Sequence, residues 1–329
     1  MTIGRWKIDE FTFALAPESP TSVTLVYETH GVLSKARDNV IVLPTYYTGR
    51  HDDYRPWIGP DRPFDPQRWF IVCANMFGNG VSTSPSNAHD PAPVAAVTVP
   101  DNVRAQQMLL ADVFGVERVA LVAGWSMGGM QAFEWAARFP DRVNAILPIC
   151  ATARCWPLNF AFLEGISPFL RTPPELRVQG LADFGRAYSS WAYSAEFYRT
   201  RLHRRFGVAT AEDLRERWAD DHRPWDPRDL LAMLAAWQRA DFTDGSVSAD
   251  TRLATIRAAT VVMPCLDDQY FTAAEATLDC DLIPGARIEP IRSVFGHMAG
   301  RPGLVPDVTA QITRTARSLL GGPAPGDLG

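Results

Sequence analysis

Residues 118–140, RVALVAGWSMGGMQAFEWAARFP, constrain this chain more than any other stretch. The first part is a short apolar, β-branched run, and the second carries apolar residues at helical period and stops at a proline. Between them stands G-x-S-x-G, as Gly124-Trp125-Ser126-Met127-Gly128. A strand that turns at once into a helix strains the residue at the turn, so its neighbours must lack bulk. Gly124 and Gly128 meet that need. The turn lifts the Ser126 hydroxyl clear of the sheet at the helix N-terminus. There the backbone N–H of Met127 and the helix dipole face any negative charge that develops. In this setting Ser126 reads as a nucleophile rather than as part of a plain connection.

The remainder of the chain supplies a sheet for that turn. Residues 23–28, 39–43, 69–75, 118–123 and 144–149 read as strands, and 260–263 and 287–291 follow near the end. Residues 101–114, with Asp101 as N-cap, and 127–139 read as helices. Strands alternating with helices imply βαβ units, and strands apolar on both parities imply helices on both faces. The fold class is therefore α/β, a mostly parallel sheet flanked by helices. From 151 to 250 the rhythm stops. This stretch is helix-like, holds Trp156, Trp191, Trp218, Trp225 and Trp237, and is cut by prolines into short pieces. The expected organisation is a first core part at 1–150, a helical insertion at 151–250, a second core part at 251–320 and a flexible tail at 321–329.

Composition narrows the class of function. Of 329 residues, 47% are hydrophobic and 21% charged, which excludes a disordered chain. A net charge of −5 leaves no electrostatic footprint for nucleic acid. The N-terminal residues 1–6 open no apolar leader, and no apolar run is long enough to span a membrane. The five cysteines, Cys73, Cys150, Cys155, Cys265 and Cys280, are odd in number and form no C-x-x-C pair. Neither a disulfide framework nor a metal site is expected, and the chain reads as cytoplasmic.

A serine at its ordinary pKa needs a base, and the base needs a carboxylate to orient it. On a sheet with this turn the chain order is serine, acid, histidine. Of the six histidines only His297 follows a late strand, between Gly296 and Gly300 in what reads as a loop. The preceding strand, at 260–263, leads into two candidates for the acid, Asp267 and Asp268. A second oxyanion donor is expected in the loop 43–51, where Tyr47 is the candidate and Tyr46 the alternative. His51, in the same loop, reads as a loop or wall residue rather than a second base.

These residues carry a wider resemblance. The run from Ser126 to Ala136, SMGGMQAFEWA, is similar almost residue for residue to the serine signature of the homoserine O-acetyltransferase family, which has the α/β-hydrolase fold. Ile58-Gly-Pro60, Asn75-Met-Phe-Gly78, Ser82-Thr-Ser-Pro-Ser86, Asp101-Asn-Val-Arg-Ala-Gln106, Thr48-Gly49 and Phe295-Gly-His297 resemble further parts of it. The resemblance implies a triad of Ser126, Asp268 and His297, with oxyanion donors at Tyr47 and Met127. It also implies that the insertion is a lid that often mediates dimerisation, so a homodimer through the lid is one expectation.

Two departures bear on substrate. Family members that act on homoserine usually carry an aspartate after the catalytic histidine to hold the ammonium group, and here that position is Met298. A thioether cannot pair with a cation. The start of the insertion also lacks the Arg-Gln element usual in the family. Arg186 either matches a family arginine that binds the substrate carboxylate or is an exposed helix arginine. Arg186, Tyr46, Trp125 and Met298 are the candidate substrate contacts. The expected reaction is hydrolysis of a small carboxylic ester through an acyl-enzyme, with no bound cofactor and no metal. The alternative is transfer of acetyl from acetyl-CoA, as co-substrate, to a hydroxyl acceptor other than homoserine. A binding protein on a hydrolase scaffold, without catalysis, is the third reading. Partners are in each case small molecules, with no nucleic acid and no membrane.

Overall fold

The computed structural model describes residues 6–14 and 22–321. Eight strands form one sheet: β1 (Trp6–Ala14), β2 (Ser22–His30), β3 (Val40–Pro44), β4 (Phe70–Ala74), β5 (Leu121–Trp125), β6 (Ala145–Ile149), β7 (Ala259–Val262) and β8 (Arg287–Ile288). Their order is β1-β2-β4-β3-β5-β6-β7-β8. The β1–β2 and β2–β4 pairs are antiparallel, and every other pair is parallel. The fold is the α/β-hydrolase fold expected from the sequence.

The central strands are apolar on both parities because both faces are covered. In β3, Ile41 and Leu43 enter one core cluster while Val40 and Val42 enter the other. Ile71 and Cys73 of β4 divide from Phe70 and Val72 in the same way. Packing on two sides at about 25 cal/mol per Å² makes these strands the most costly part of the sheet to expose. All five residues of each of β3, β4, β5 and β6 are buried.

Three expectations are corrected. Residues 6–14 form a strand that the sequence reading leaves out. It lies at the edge of the sheet, and its mixed sequence WKIDEFTFA lacks the continuous apolar run that marks the inner strands. The helix expected at 101–114 is Val99–Asp112, and its N-cap is Thr98, not Asp101. Asp101 instead completes a capping box with Thr98, each side chain bonding the other's backbone N–H. The last strand ends at Ile288, because Pro290 has no N–H to continue the ladder. The tail expected at 321–329 lies, apart from Gly321, outside the described residues, as does most of the N-terminal segment 1–6.

Between β6 and β7 the chain leaves the sheet and forms the helices Pro157–Ile166, Arg177–Ala192, Ala211–His222 and Pro227–Gln238, with short 3-10 turns between them. The prolines that break the sequence pattern begin these pieces. Pro157 and Pro227 each stand at a helix start, where the missing N–H costs nothing. The rings of Phe162, Phe184, Tyr188 and Trp237 join the cluster that holds Tyr46, Tyr47 and Trp125. The helices therefore sit over the carboxyl end of the sheet. Among the described residues, no helix is long and apolar enough to cross a membrane.

Candidate active site

Ser126 links β5 to the helix Met127–Arg138 with φ +57° and ψ −130°. This is a region that residues with a side chain rarely occupy. The turn is tight enough to explain its glycines. A Cβ on Gly124 would fall inside the backbone of Gly128, and one on Gly128 would lie 2.7 Å from Tyr54 Oη. The Ser126 N–H donates to the Ile149 carbonyl at 2.9 Å, which fixes the elbow to the neighbouring strand β6.

Three side chains from three segments meet here. His297 lies in the 3-10 turn Gly296–Gly300, and its Nε2 is 3.0 Å from Ser126 Oγ. His297 Nδ1 is 2.8 Å from Asp268 Oδ2. The other carboxylate oxygen, Oδ1, accepts from the backbone N–H groups of Tyr270 (2.7 Å) and Phe271 (3.1 Å). A carboxylate only accepts, so Nδ1 carries the proton and Nε2 turns its lone pair to the serine hydroxyl. All three residues are buried. The two adjacent aspartates separate cleanly: Asp268 faces His297, while Asp267 is exposed.

The imidazole is packed among three aromatic rings. Trp125 stacks on it at 4.9 Å, and Tyr270 and Phe271 lie at 4.5 and 5.6 Å. Trp125 also donates its indole N–H to the His297 carbonyl oxygen at 3.1 Å. Burial pushes the Cys265 thiol up to about 12 and raises Cys150 well above its ordinary value. Neither thiol competes as a nucleophile at neutral pH.

Tyr47 follows β3 in a tight turn, in which the Gly49 N–H donates to the Tyr46 carbonyl at 2.7 Å. Its phenol is anchored in the insertion, donating to the Leu230 carbonyl at 3.3 Å beside the rings of Tyr188 and Trp237. This anchorage ties the Tyr47 turn to the insertion, and Tyr47 and Ser126 line the same cavity. Met127 is the first residue of its helix, so its N–H has no intrahelical acceptor. Tyr46 packs edge-on against Trp125 at 4.5 Å, and burial raises its phenol pKa.

Tyr46, Tyr47, Trp125, Ser126, His297 and Met298 line a cavity of about 370 Å³. Tyr188, Trp218 and His222 from the insertion and Tyr270 from the core close it. The sequence reading does not single out these four. Their placement depends on how three distant segments fold together, which periodicity does not encode.

Arg186 is a correction. It does not line the cavity. Its Nε and Nη2 bond Glu216 at 2.6 and 2.8 Å, and Nη1 bonds Asp183 at 2.7 Å. It thus joins the helices Arg177–Ala192 and Ala211–His222, while Tyr188, two residues on, turns to the cavity. His51 also lies away from Ser126. Its Nδ1 accepts from Asn75 Nδ2 at 2.8 Å. Among the described residues, no cluster of three or more His, Cys, Asp or Glu side chains is arranged to hold a metal ion.

Known proteins carry the same architecture. Residues 38–221 match the alpha/beta hydrolase fold family. An ethyl acetate hydrolase of Pseudomonas veronii is 33% identical over 318 residues, covering 91% of this chain and 90% of its own. The crystal structure of an acetyl esterase superposes with a TM-score of 0.91 at 30% identity, over 96% of this chain and 97% of that one. A homoserine O-acetyltransferase of Geobacter sulfurreducens is 40% identical over 152 residues, covering 40% of this chain and 41% of its own. The chain belongs to the alpha/beta hydrolase fold family. It is an enzyme of the acyl-transferring kind, with esterases similar over nine-tenths or more of its length and homoserine O-acetyltransferases similar over part of it.

Proposed function

We propose that the enzyme hydrolyses acetyl esters of small alcohols through an acyl-enzyme on Ser126. The observation that carries this reading is the relay from Asp268 through His297 to Ser126, with spacings of 2.8 and 3.0 Å, opening into an aromatic cavity. His297 Nε2 takes the Ser126 proton as Oγ bonds to the ester carbonyl carbon. The backbone N–H groups of Met127 and Tyr47 take the negative charge on the carbonyl oxygen, each worth roughly 10²–10³ in rate. Asp268 stabilises the imidazolium, which then protonates the departing alkoxide. Water deprotonated by the same nitrogen attacks the acyl carbonyl. The acid leaves, and the proton returns to Ser126.

Met298 supports hydrolysis over transfer to an amino-acid alcohol. It is buried at the cavity wall beside the base, and its thioether offers an ammonium group nothing to pair with. Acid release from ethyl acetate, followed by continuous titration, tests the reading. The native enzyme is expected to release acid, and Ser126→Ala to release almost none. Release of free CoA from acetyl-CoA that depends on an added alcohol would favour acyl transfer instead. The five cysteines, all unpaired thiols, support a cytoplasmic place of work.

A further inference from the structure

Part of the cavity wall belongs to the helix Ala211–His222, which supplies Leu214, Arg217, Trp218, Asp221 and His222. His222 is 5% exposed. Its Nδ1 bonds the Trp218 carbonyl oxygen, one turn back, at 2.7 Å. A carbonyl only accepts, so Nδ1 carries the proton and Nε2 keeps a lone pair. Burial holds the imidazole pKa below its ordinary value, against the opposing pull of the Trp218 carbonyl and the Asp221 carboxylate, so the ring is neutral at pH 7. The ring cannot turn away easily. It is stacked on Trp218 with 13° between planes, and the rings of Phe184 and Tyr188 lie at 5.4 and 5.9 Å. Among the described residues, no protein donor reaches Nε2. A buried acceptor without a donor is costly, and this one stands on a residue that lines the substrate cavity.

The cavity, at about 370 Å³, has room for more than the acetyl group. The acetyl carbonyl must sit at Ser126, and an acetyl group has no further donor to offer. The alcohol portion is what remains to meet the insertion.

We infer that His222 Nε2 accepts a hydrogen bond from a free hydroxyl on the alcohol portion of the substrate, so that the enzyme selects monoacetyl esters of diols or polyols. This rests on the ester-hydrolase reading above. His222 acts as a specificity-determining residue. It discriminates against an ester that lacks the donor, because the lone pair is then buried without a partner.

The test compares kcat/KM for 2-hydroxyethyl acetate and 2-methoxyethyl acetate, since the second keeps the oxygen but cannot donate. The native enzyme is expected to favour the hydroxy ester tenfold or more, equivalent to about 1.4 kcal/mol. His222→Phe keeps a stacking ring without the acceptor, and the preference should fall to about one. His222→Gln returns an acceptor and should restore part of it. A merely structural role would lower both esters equally and leave their ratio untouched, which overturns the inference. So does a native ratio near one, a result that needs no variant to fold. If neither ester is hydrolysed and a fluorophosphonate probe fails to label Ser126, the ester-hydrolase reading falls and the inference with it. Equal hydrolysis of both esters removes the inference alone.

Discussion

Trp125 grips His297 twice: its indole N–H donates to the His297 carbonyl oxygen at 3.1 Å, and its ring stacks on the imidazole at 4.9 Å. The residue before the serine thus positions the base that serves it. The elbow and the His297 turn, separated by most of the chain, form one unit. Gly300 closes the same contact, since a Cβ there would lie 2.7 Å from Trp125 Cδ1 and 2.8 Å from Cys150 Sγ.

Trp125→Phe removes the donor and keeps an aromatic face. Loss of one neutral hydrogen bond should lower stability by about 1 kcal/mol, read from the urea midpoint. Proton transfer depends on ångström-scale placement, so kcat for ethyl acetate should fall roughly tenfold. An unchanged kcat would show that stacking by Tyr270 and Phe271 is enough to position the ring.

Asp268→Asn should cost about 10³–10⁴ in kcat, because an amide at this position favours the wrong imidazole tautomer. Asp267→Asn should leave kcat within about twofold, since the side chain is exposed. Steady-state rates of the two variants decide the matter, and a reversal of their order would move the acid to Asp267.

Ser126→Gly should abolish labelling by a fluorophosphonate probe while leaving the protein at least as stable as the native form. A residue with a side chain held at φ +57° and ψ −130° costs roughly 1–3 kcal/mol, and glycine occupies that region freely. The cost of freeing a glycine in the unfolded chain offsets part of the gain. Denaturant midpoints measure the balance. A clear loss of stability would mean that the Oγ–His297 hydrogen bond outweighs the strain.

The elements legible in the sequence are those whose local pattern and burial agree. Strands β3, β4 and β6 read to within a residue at each end because both of their faces are covered, so an apolar run is all the pattern requires, whereas β5 lies at Leu121–Trp125 rather than at 118–123. The elbow is legible because its glycines answer a contact a few residues away. Thr98-Val-Pro-Asp101 carries the spacing of a capping box, a local signal for the true helix start that a reading centred on Asp101 passes over. Arg186 fails for a different reason. Its role depends on which face of its helix meets Glu216, thirty residues away in the chain, and its own neighbourhood does not encode that. Tyr188, His222 and Tyr270 are illegible for the same cause. The hold on Asp268 is local, however, since its Oδ1 accepts from the N–H groups two and three residues on, a turn typical of aspartate.

Glu28 offers the last test, on a buried charge behind the turn that carries Tyr47. It lies on β2 with no exposed surface. Its carboxylate accepts from Arg55 Nε at 3.0 Å and Nη2 at 3.2 Å, and stands 2.8 Å from His30 Nε2 and 3.6 Å from His51 Nε2. His51 is tied in turn to Asn75, and Asn79 Nδ2 donates to the Gly49 carbonyl at 3.1 Å. The turn that carries Tyr47 is therefore anchored to this cluster. Burial alone would raise the Glu28 pKa, but the close His30 ring and the hydrogen-bonded Arg55 guanidinium outweigh it and hold the carboxyl below its ordinary value. A carboxylate with a depressed folded-state pKa contributes stability above its unfolded pKa and loses it as pH falls through the folded one. Glu28→Gln should therefore cost about 2 kcal/mol at pH 7, a charged hydrogen bond discounted because the Arg55 side chain is 44% exposed. The gap between native and variant should narrow once the pH drops below the ordinary carboxylate range. Urea unfolding of both proteins at neutral and acid pH measures it, with kcat at neutral pH expected to fall severalfold through the displaced Tyr47 turn. A gap of equal size at both pH values would show that the shape of the side chain, not its charge, holds the cluster together.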